Sequence, residues 1–340
     1  MEEQDQPGII KDGIFYPAGS GSKIKGKSNK TIVSIGLILI IFIGLIITNN
    51  NYNNAWQLKS EYFEEIEDDG TSNLYTINLE IDNSIGDIYI DNHIAENKLI
   101  QINTKIYTPK NRDNNYYNYK WDISGPTDNN YYVAFNGPQS TIWNDNKIKY
   151  DHYISINNKI LFNLNLQTSV GLIDLDLFNS SLNTISLKTG SGDLSSKFVN
   201  CEINDTLSID VSSGSVEMNI ENSVINLTEL FFQISSGSSN FNFVNNIFNQ
   251  NTIIKTEVSS GTINVIWYQQ MLNHRIDVIS ELSSGNINYQ LLFNENITTN
   301  YITDTTSGSE NIPNENIGTQ GEIFFNLSTV SGNIDIEYTN

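Results

Sequence analysis

The stretch IDVSSGSVEMNI, Ile209–Ile220, decides the fold. Apolar Ile209 and Val211 alternate with polar residues before Gly214. Val216, Met218 and Ile220 alternate after it. A period of two marks a strand with one buried face, so two strands meet here at a Ser-Gly corner. The same arrangement returns in ILFNLNLQTSVGLIDLDL (Ile160–Leu177), LKTGSGDLSS (Leu187–Ser196) and LSTVSGNIDIEY (Leu327–Tyr338).

The corner glycines are Gly171, Gly192, Gly214, Gly237, Gly261, Gly285, Gly308 and Gly332, separated by 21, 22, 23, 24, 24, 23 and 24 residues. Gly86, in NSIGDIYI, is an earlier and isolated member. Seven residues before each corner stands an apolar residue: Leu164, Ile185, Leu207, Leu230, Ile254, Val278, Tyr301 and Phe325. Six residues after it stand Leu177, Phe198, Ile220, Phe243, Trp267, Leu291 and Tyr338. One such unit cannot bury its apolar face alone. Stacked in register, the units complete a core and pair each backbone with the rungs above and below. The reading is an all-β, single-stranded β-helix or solenoid with rungs of 21–24 residues. A right-handed coil is favoured, because crossovers between parallel strands are right-handed. Eight rungs at about 4.8 Å give a rod of about 40 Å. Ser196, Ser239 and the stretch around Glu310 and Pro313 interrupt the pattern and predict local irregularity. The returns Val244–Asn251 and Trp267–Arg275 are expected to project as loops.

These segments resemble the adhesin-like β-solenoid family of prokaryotic surface and envelope proteins, over about Leu74–Asn340 and most closely from Ile160 onward. The resemblance implies a cell-surface binding or structural role and carries over no catalytic residue.

Ahead of the repeat, Thr31–Thr48 reads TIVSIGLILIIFIGLIIT, 18 residues without a charge. That length suits one crossing of a bilayer as a helix. Lys23, Lys25, Lys27 and Lys30 precede it, while Glu61, Glu64, Glu65, Glu67, Asp68 and Asp69 follow. Positive charge stays inside, so the N-terminus is expected in the cytoplasm and the long C-terminal part outside, in a single-pass protein of the cell membrane. The domains predicted are a disordered cytoplasmic tail over 1–30, an uncleaved transmembrane helix over 31–49, an acidic tether over 50–70 and an extracellular β-solenoid over 71–340. An aromatic-rich insertion interrupts the last at about 110–155.

Composition narrows the function. Of 340 residues, 18 are Lys or Arg and 39 are Asp or Glu, a net charge of −21 that argues against nucleic acid as a partner. A single cysteine, Cys201, excludes an internal disulfide framework and Cys-rich zinc sites. No cofactor is expected. The Ser-Gly pairs are equivalent corners of a repeat rather than nucleophile elbows, and the three histidines, His93, His152 and His274, are scattered. Asp174 and Asp176, near Asp193, lie on one outward strand face. They are read as solvated side chains in preference to a calcium or paired-carboxylate site.

The insertion carries Tyr116, Tyr117, Tyr119, Trp121, Tyr131, Tyr132, Phe135, Trp143, Tyr150 and Tyr153. It is read first as a cap with half its rings buried. Tyr116, Tyr117, Tyr119, Trp121, Tyr131, Tyr132 and Trp143 form the candidate recognition surface, since exposed aromatic rings suit sugars or protein partners. Sequons at Asn179, Asn204, Asn226, Asn296 and Asn326 are candidate glycosylation sites. The expected function is a non-enzymatic, membrane-anchored surface module that binds a glycan or protein partner. Self-association through an open C-terminal edge near Ile334–Tyr338 is a further expectation. The alternatives are an extracellular carbohydrate-active β-helix enzyme and an envelope-stress or signalling accessory protein.

Overall fold

The computed structural model describes residues 9–11, 14–16, 56–68, 70, 75–95, 97–109, 121–127, 129–137 and 148–339. The chain divides into two compact units, Met1–Ala55 and Trp56–Asn340. In the first, Ile9–Lys11 and Ile14–Tyr16 pair antiparallel, where the sequence predicts an unstructured tail. The expected membrane helix lies outside the described residues. Among the described residues, no helix is long and apolar enough to cross a membrane.

Among the described residues the second unit is all-β, and its 21 strands join one sheet. From Leu164 to Val278 the strands pair in the predicted register. Leu164 pairs with Ile185, Ile185 with Leu207, Leu207 with Leu230, Leu230 with Ile254 and Ile254 with Val278, all in parallel. After the corner, Ile173, Leu194, Val216, Ser239, Ile263 and Ile287 form a second parallel column. Inward residues of both columns are buried, each apolar one contributing about 1.5–3 kcal/mol relative to exposure.

The corner needs glycine for two reasons. From Gly192 to Gly285 the backbone φ lies between +133° and +153°, a region that side chains with a Cβ rarely adopt. A Cβ there would also fall well under 3.0 Å from the carbonyl oxygen of the glycine one rung below. The residue after glycine braces neighbouring rungs: the carboxylate of Asp193 accepts the Ser215 N–H at 2.9 Å, and Asp87 accepts that of Leu172 at 2.9 Å.

A second corner follows eight residues after glycine. Asn179, Asn200, Asn222 and Asn245 sit there with φ between +48° and +53°, the left-handed region that Asn tolerates best after Gly. Next to it runs a buried polar column of Ser180, Cys201, Ser223 and Asn246. Ser223 Oγ accepts the Cys201 N–H at 3.0 Å, and Asn246 Oδ1 accepts the Ser223 N–H at 3.0 Å while its Nδ2 donates to the Ile220 carbonyl at 2.8 Å. The lone cysteine is thus one member of a hydrogen-bonding column, buried and unpaired. Burial pushes its thiol pKa up. Outside, asparagines stack as ladders: Asn288 to Asn264 at 2.8 Å and Asn264 to Asn240 at 2.9 Å, and likewise Asn249–Asn226–Asn204.

Several expectations need correction. Ser196 and Ser239 do not disturb the ladder: both are buried and in continuous register. Ser239 Oγ donates to the Thr262 carbonyl at 3.1 Å. The return Val244–Asn251 does not project freely, because Ile247–Phe248 pairs with Val224–Ile225. The acidic stretch read as a tether is, from Trp56 to Glu67, a strand paired antiparallel with Lys98–Pro109.

The largest correction concerns order. At the C-terminal end the stack does not follow the chain. The strand Glu322–Tyr338 lies between Ile276–Phe293 on one side and Thr298–Ser307 on the other. Gly285 therefore stacks on Gly332, and Gly332 on Gly308. The outermost strand before the corner is Thr298–Ser307, and Glu310–Asn311 covers Ile334–Asp335, so of the expected open edge only Ile336–Tyr338 is paired on one side alone among the described strands. At the other end, Thr76–Ile85 lies between Asn130–Asn136 and Leu161–Val170, again out of chain order. The insertion supplies this first rung and is closed off by antiparallel strands, Trp121–Thr127 against Asn130–Asn136 and Lys98–Pro109 against Lys149–Ile156.

Candidate recognition surface

Of the insertion read as a cap, the described parts add strands at this end of the sheet, and their rings divide between core and surface. Trp121 and Tyr131 are 5% and 7% exposed, so these two predicted recognition residues are core side chains. Tyr132 is 44% exposed, and its hydroxyl donates to Glu80. Tyr116, Tyr117, Tyr119 and Trp143 lie outside the described residues.

Inside the cap, Trp121, Phe135 and Tyr150 enclose His152, which is fully buried; the Phe135 centroid is 4.4 Å from the imidazole. Trp121 Nε1 donates to Thr104 Oγ1 at 3.0 Å, leaving the Thr104 hydroxyl proton for His152 Nδ1, also at 3.0 Å. With the Thr104 proton in that bond the imidazole is the neutral Nε2–H tautomer, and Nε2 has no hydrogen-bond partner among the described residues. Burial lowers the His152 pKa to about 3. The imidazole stays neutral in the fold while the unfolded chain protonates near pH 6.5, so its contribution is full above that pH and declines as pH falls towards 3. At pH 5 the expected loss is about 2 kcal/mol. Denaturant unfolding at pH 7.5 and pH 5 checks this, with His152→Phe as comparison. The variant should show a smaller acid loss than the parent, and equal losses would refute the assignment.

On the outer face the same strands present a different constellation. Tyr153 and Tyr89, cross-strand neighbours in adjacent rungs, stack at 4.9 Å with their planes 8° apart. Lys105 Nζ sits 4.6 Å from the Tyr153 ring centroid, an arrangement stabilised by the ring's negative face. Beside them Lys149 bridges Asp87 at 3.0 Å and Asp151 at 3.1 Å, with Tyr107 within 5.7 Å. Burial and the nearby Asp87 charge raise the Tyr89 phenol to about 12, and burial pushes Asp151 above the usual carboxylate range. The result is a half-exposed aromatic pair, Tyr153 being 38% exposed, ringed by two cations and two carboxylates.

Tyr89 and Tyr107 were missed as site residues. Tyr89 was legible as the residue three after Gly86, a position that points outward in every rung. Tyr107 gave no such signal, because its strand lies outside the repeat.

The other candidates are structural. Asp174 faces outward next to Tyr89, Asp176 lies 3.6 Å from Lys197, and Asp193 braces a corner. Among the described residues, no group of three His, Cys, Asp or Glu is placed to hold a metal. His93 lies by Asp91 at 3.9 Å. Of the sequons, Asn179 occupies a second corner and is exposed, as is Asn326. The Asn226 amide is engaged with Asn204 at 2.7 Å and Asn249 at 2.8 Å, and that of Asn296 with Asn294 at 3.0 Å.

These features define an all-β repeat protein whose strands pair in parallel columns with aromatic rings at one end. No protein-family model and no curated protein matches the chain. Solved structures it is similar to are candidate adhesion proteins. One is a cell adhesion protein of that kind from Clostridium sporogenes, 14% identical over 83% of this chain and 100% of the other, with a TM-score of 0.28. A second is an adhesin of that kind from Bacteroides fragilis, 14% identical over 82% and 98%, at 0.32. A third, from Parabacteroides merdae, is 12% identical over 82% and 95%, at 0.20.

Proposed function

We propose that this chain is a single-pass, non-enzymatic surface protein whose rungs form a right-handed β-solenoid and whose cap binds an extracellular partner. The apolar stretch 31–48 anchors it, with the lysine-rich side in the cytoplasm. The partner is a glycan or a protein that lays a flat apolar face on Tyr153 and Tyr89. The observation that carries this reading is the stacked Tyr89–Tyr153 pair with Lys105 over one ring, outward-facing beside a salt-bridged Lys149. Cations also lie over the single rings of Phe178, Phe231 and Phe324; here the cation sits beside two stacked, outward rings, and aromatic rings with a basic residue are what interfaces concentrate.

The test is binding of the full chain in detergent to a glycan array and to candidate surface proteins. Tyr153→Ala should weaken binding at least about tenfold, a loss in the range of an interface anchor, and leave the unfolding midpoint nearly unchanged because the ring is half exposed. Binding unaffected by Tyr153→Ala and Lys105→Ala together would remove the site. Accessibility of residues 1–30 only after permeabilising cells tests the orientation.

A further inference from the structure

The inversion of the last two rungs leaves a slot. Having completed Ile276–Phe293, the chain crosses Asn294–Ile297 and lays down Thr298–Ser307 two rung positions away, with one position between them empty until the C-terminal strand Glu322–Tyr338 returns to fill it. The rung Thr298–Ser307 has its strand pairing on that returning strand, with one bridge, Thr299–Asn316, on its connection. Phe325, Leu327, Ile334 and Ile336 are buried in the slot. An empty slot would expose the partners of Phe325, Ile334 and Ile336, namely Val278, Ile287 and Tyr289, so a strand with this apolar pattern is favoured there. The occupant, Glu322–Tyr338, follows a connection, 312–321, that bonds to the body at Leu272 and Asn296.

From this geometry we infer that the C-terminal strand is exchangeable between copies: Glu322–Tyr338 of one chain fills the slot of a second, and the second returns its own strand. Every ladder hydrogen bond and buried side chain of the slot is reproduced in the exchanged form, so only the connection and the entropy of association distinguish the two forms. That is the condition under which domain swapping is cheap. Reciprocal exchange closes as a two-fold dimer. The partner is thus a second copy of this chain, and the inference is independent of the Tyr89–Tyr153 reading.

Ser284 and Ser331 test it. They are register partners across the slot, and both are exposed. Neighbouring strands stand about 4.8 Å apart, within the Cα separation a disulfide spans. The single native cysteine is replaced by Cys201→Ser, since its column already holds Ser180 and Ser223. One full-length population carries Ser284→Cys and another, with a different tag, Ser331→Cys. They are mixed in detergent, unfolded, refolded and oxidised. Exchange gives a disulfide-linked heterodimer carrying both tags, its yield rising with chain concentration, and none when the populations fold before mixing. A chain carrying both Ser284→Cys and Ser331→Cys reports whether the slot has formed. If that chain closes its own disulfide while the co-refolded mixture yields no heterodimer, exchange is refuted. If it forms no disulfide, the register across the slot is wrong and the inference falls with it.

Discussion

Gly237→Ala is expected to destabilise the stacked unit by at least about 4 kcal/mol, in the tail of point-mutant effects reserved for strained or sterically blocked sites. Two costs combine. The backbone φ of +141° is unfavourable for alanine by about 1–3 kcal/mol. The new methyl group would also lie well under 3.0 Å from the Gly214 carbonyl oxygen, a backbone atom held in the ladder. Relief requires two rungs to part, which breaks pairing to the rungs on both sides. For a unit of this size the midpoint should fall by roughly 8–16 °C. Gly70→Ala is the control: its φ is +68°, but nothing lies within 4 Å of the new methyl group. That change should cost only about 1–2 kcal/mol. Equal midpoint shifts for the two would mean that the corner column is not the close approach described above.

Trp267→Ala should cost about 3–5 kcal/mol, the range for removing a large aromatic side chain from a core. The indole is 1% exposed and occupies the inward position six residues after Gly261. It rests on Phe243 at 5.2 Å, Phe248 at 6.3 Å and Phe293 at 5.8 Å between centroids. Rung spacing is fixed by backbone hydrogen bonds, so the neighbours cannot collapse into the void. The nearby Met271, largely exposed, provides the contrast: Met271→Ala should stay within about 0.5 kcal/mol. Denaturant midpoints at constant slope separate the outcomes, and a Trp267→Ala loss below about 1 kcal/mol would contradict a filled inward column at that rung.

The repeat was legible because one physical requirement repeats with it. Each rung buries the same positions and turns at the same glycine, so spacing and alternation alone gave the register from Gly171 to Gly285. The order of the end rungs was not legible. A strand that fits between its two predecessors has the same inward pattern as one that follows them, and Phe325 satisfies Val278 as a neighbour just as Tyr301 would have. The second corner was within reach: asparagine stands eight residues after Gly171, Gly192, Gly214 and Gly237. Its signal was lost in a chain where asparagine is abundant, and the abundance itself has a cause in the amide ladders. The cap was harder. Counting aromatics selected Trp121 and Tyr131 along with Tyr132, since ring type does not distinguish burial from display. The outward pair formed only when Tyr89 of the repeat met Tyr153 of the insertion, 64 residues apart.

The strand Glu322–Tyr338 is held along both edges up to Asp335, by Ile276–Asn288 on one side and Thr298–Ser307, Glu310 and Asn311 on the other, and along one edge from Ile336 to Tyr338. Tension along the axis of that strand therefore meets two rows of backbone bonds in shear over most of its length, where an outermost strand under the same pull would set only one row against it. Inverting the order of the last rungs thus raises the force needed to draw Glu322–Tyr338 out of the sheet.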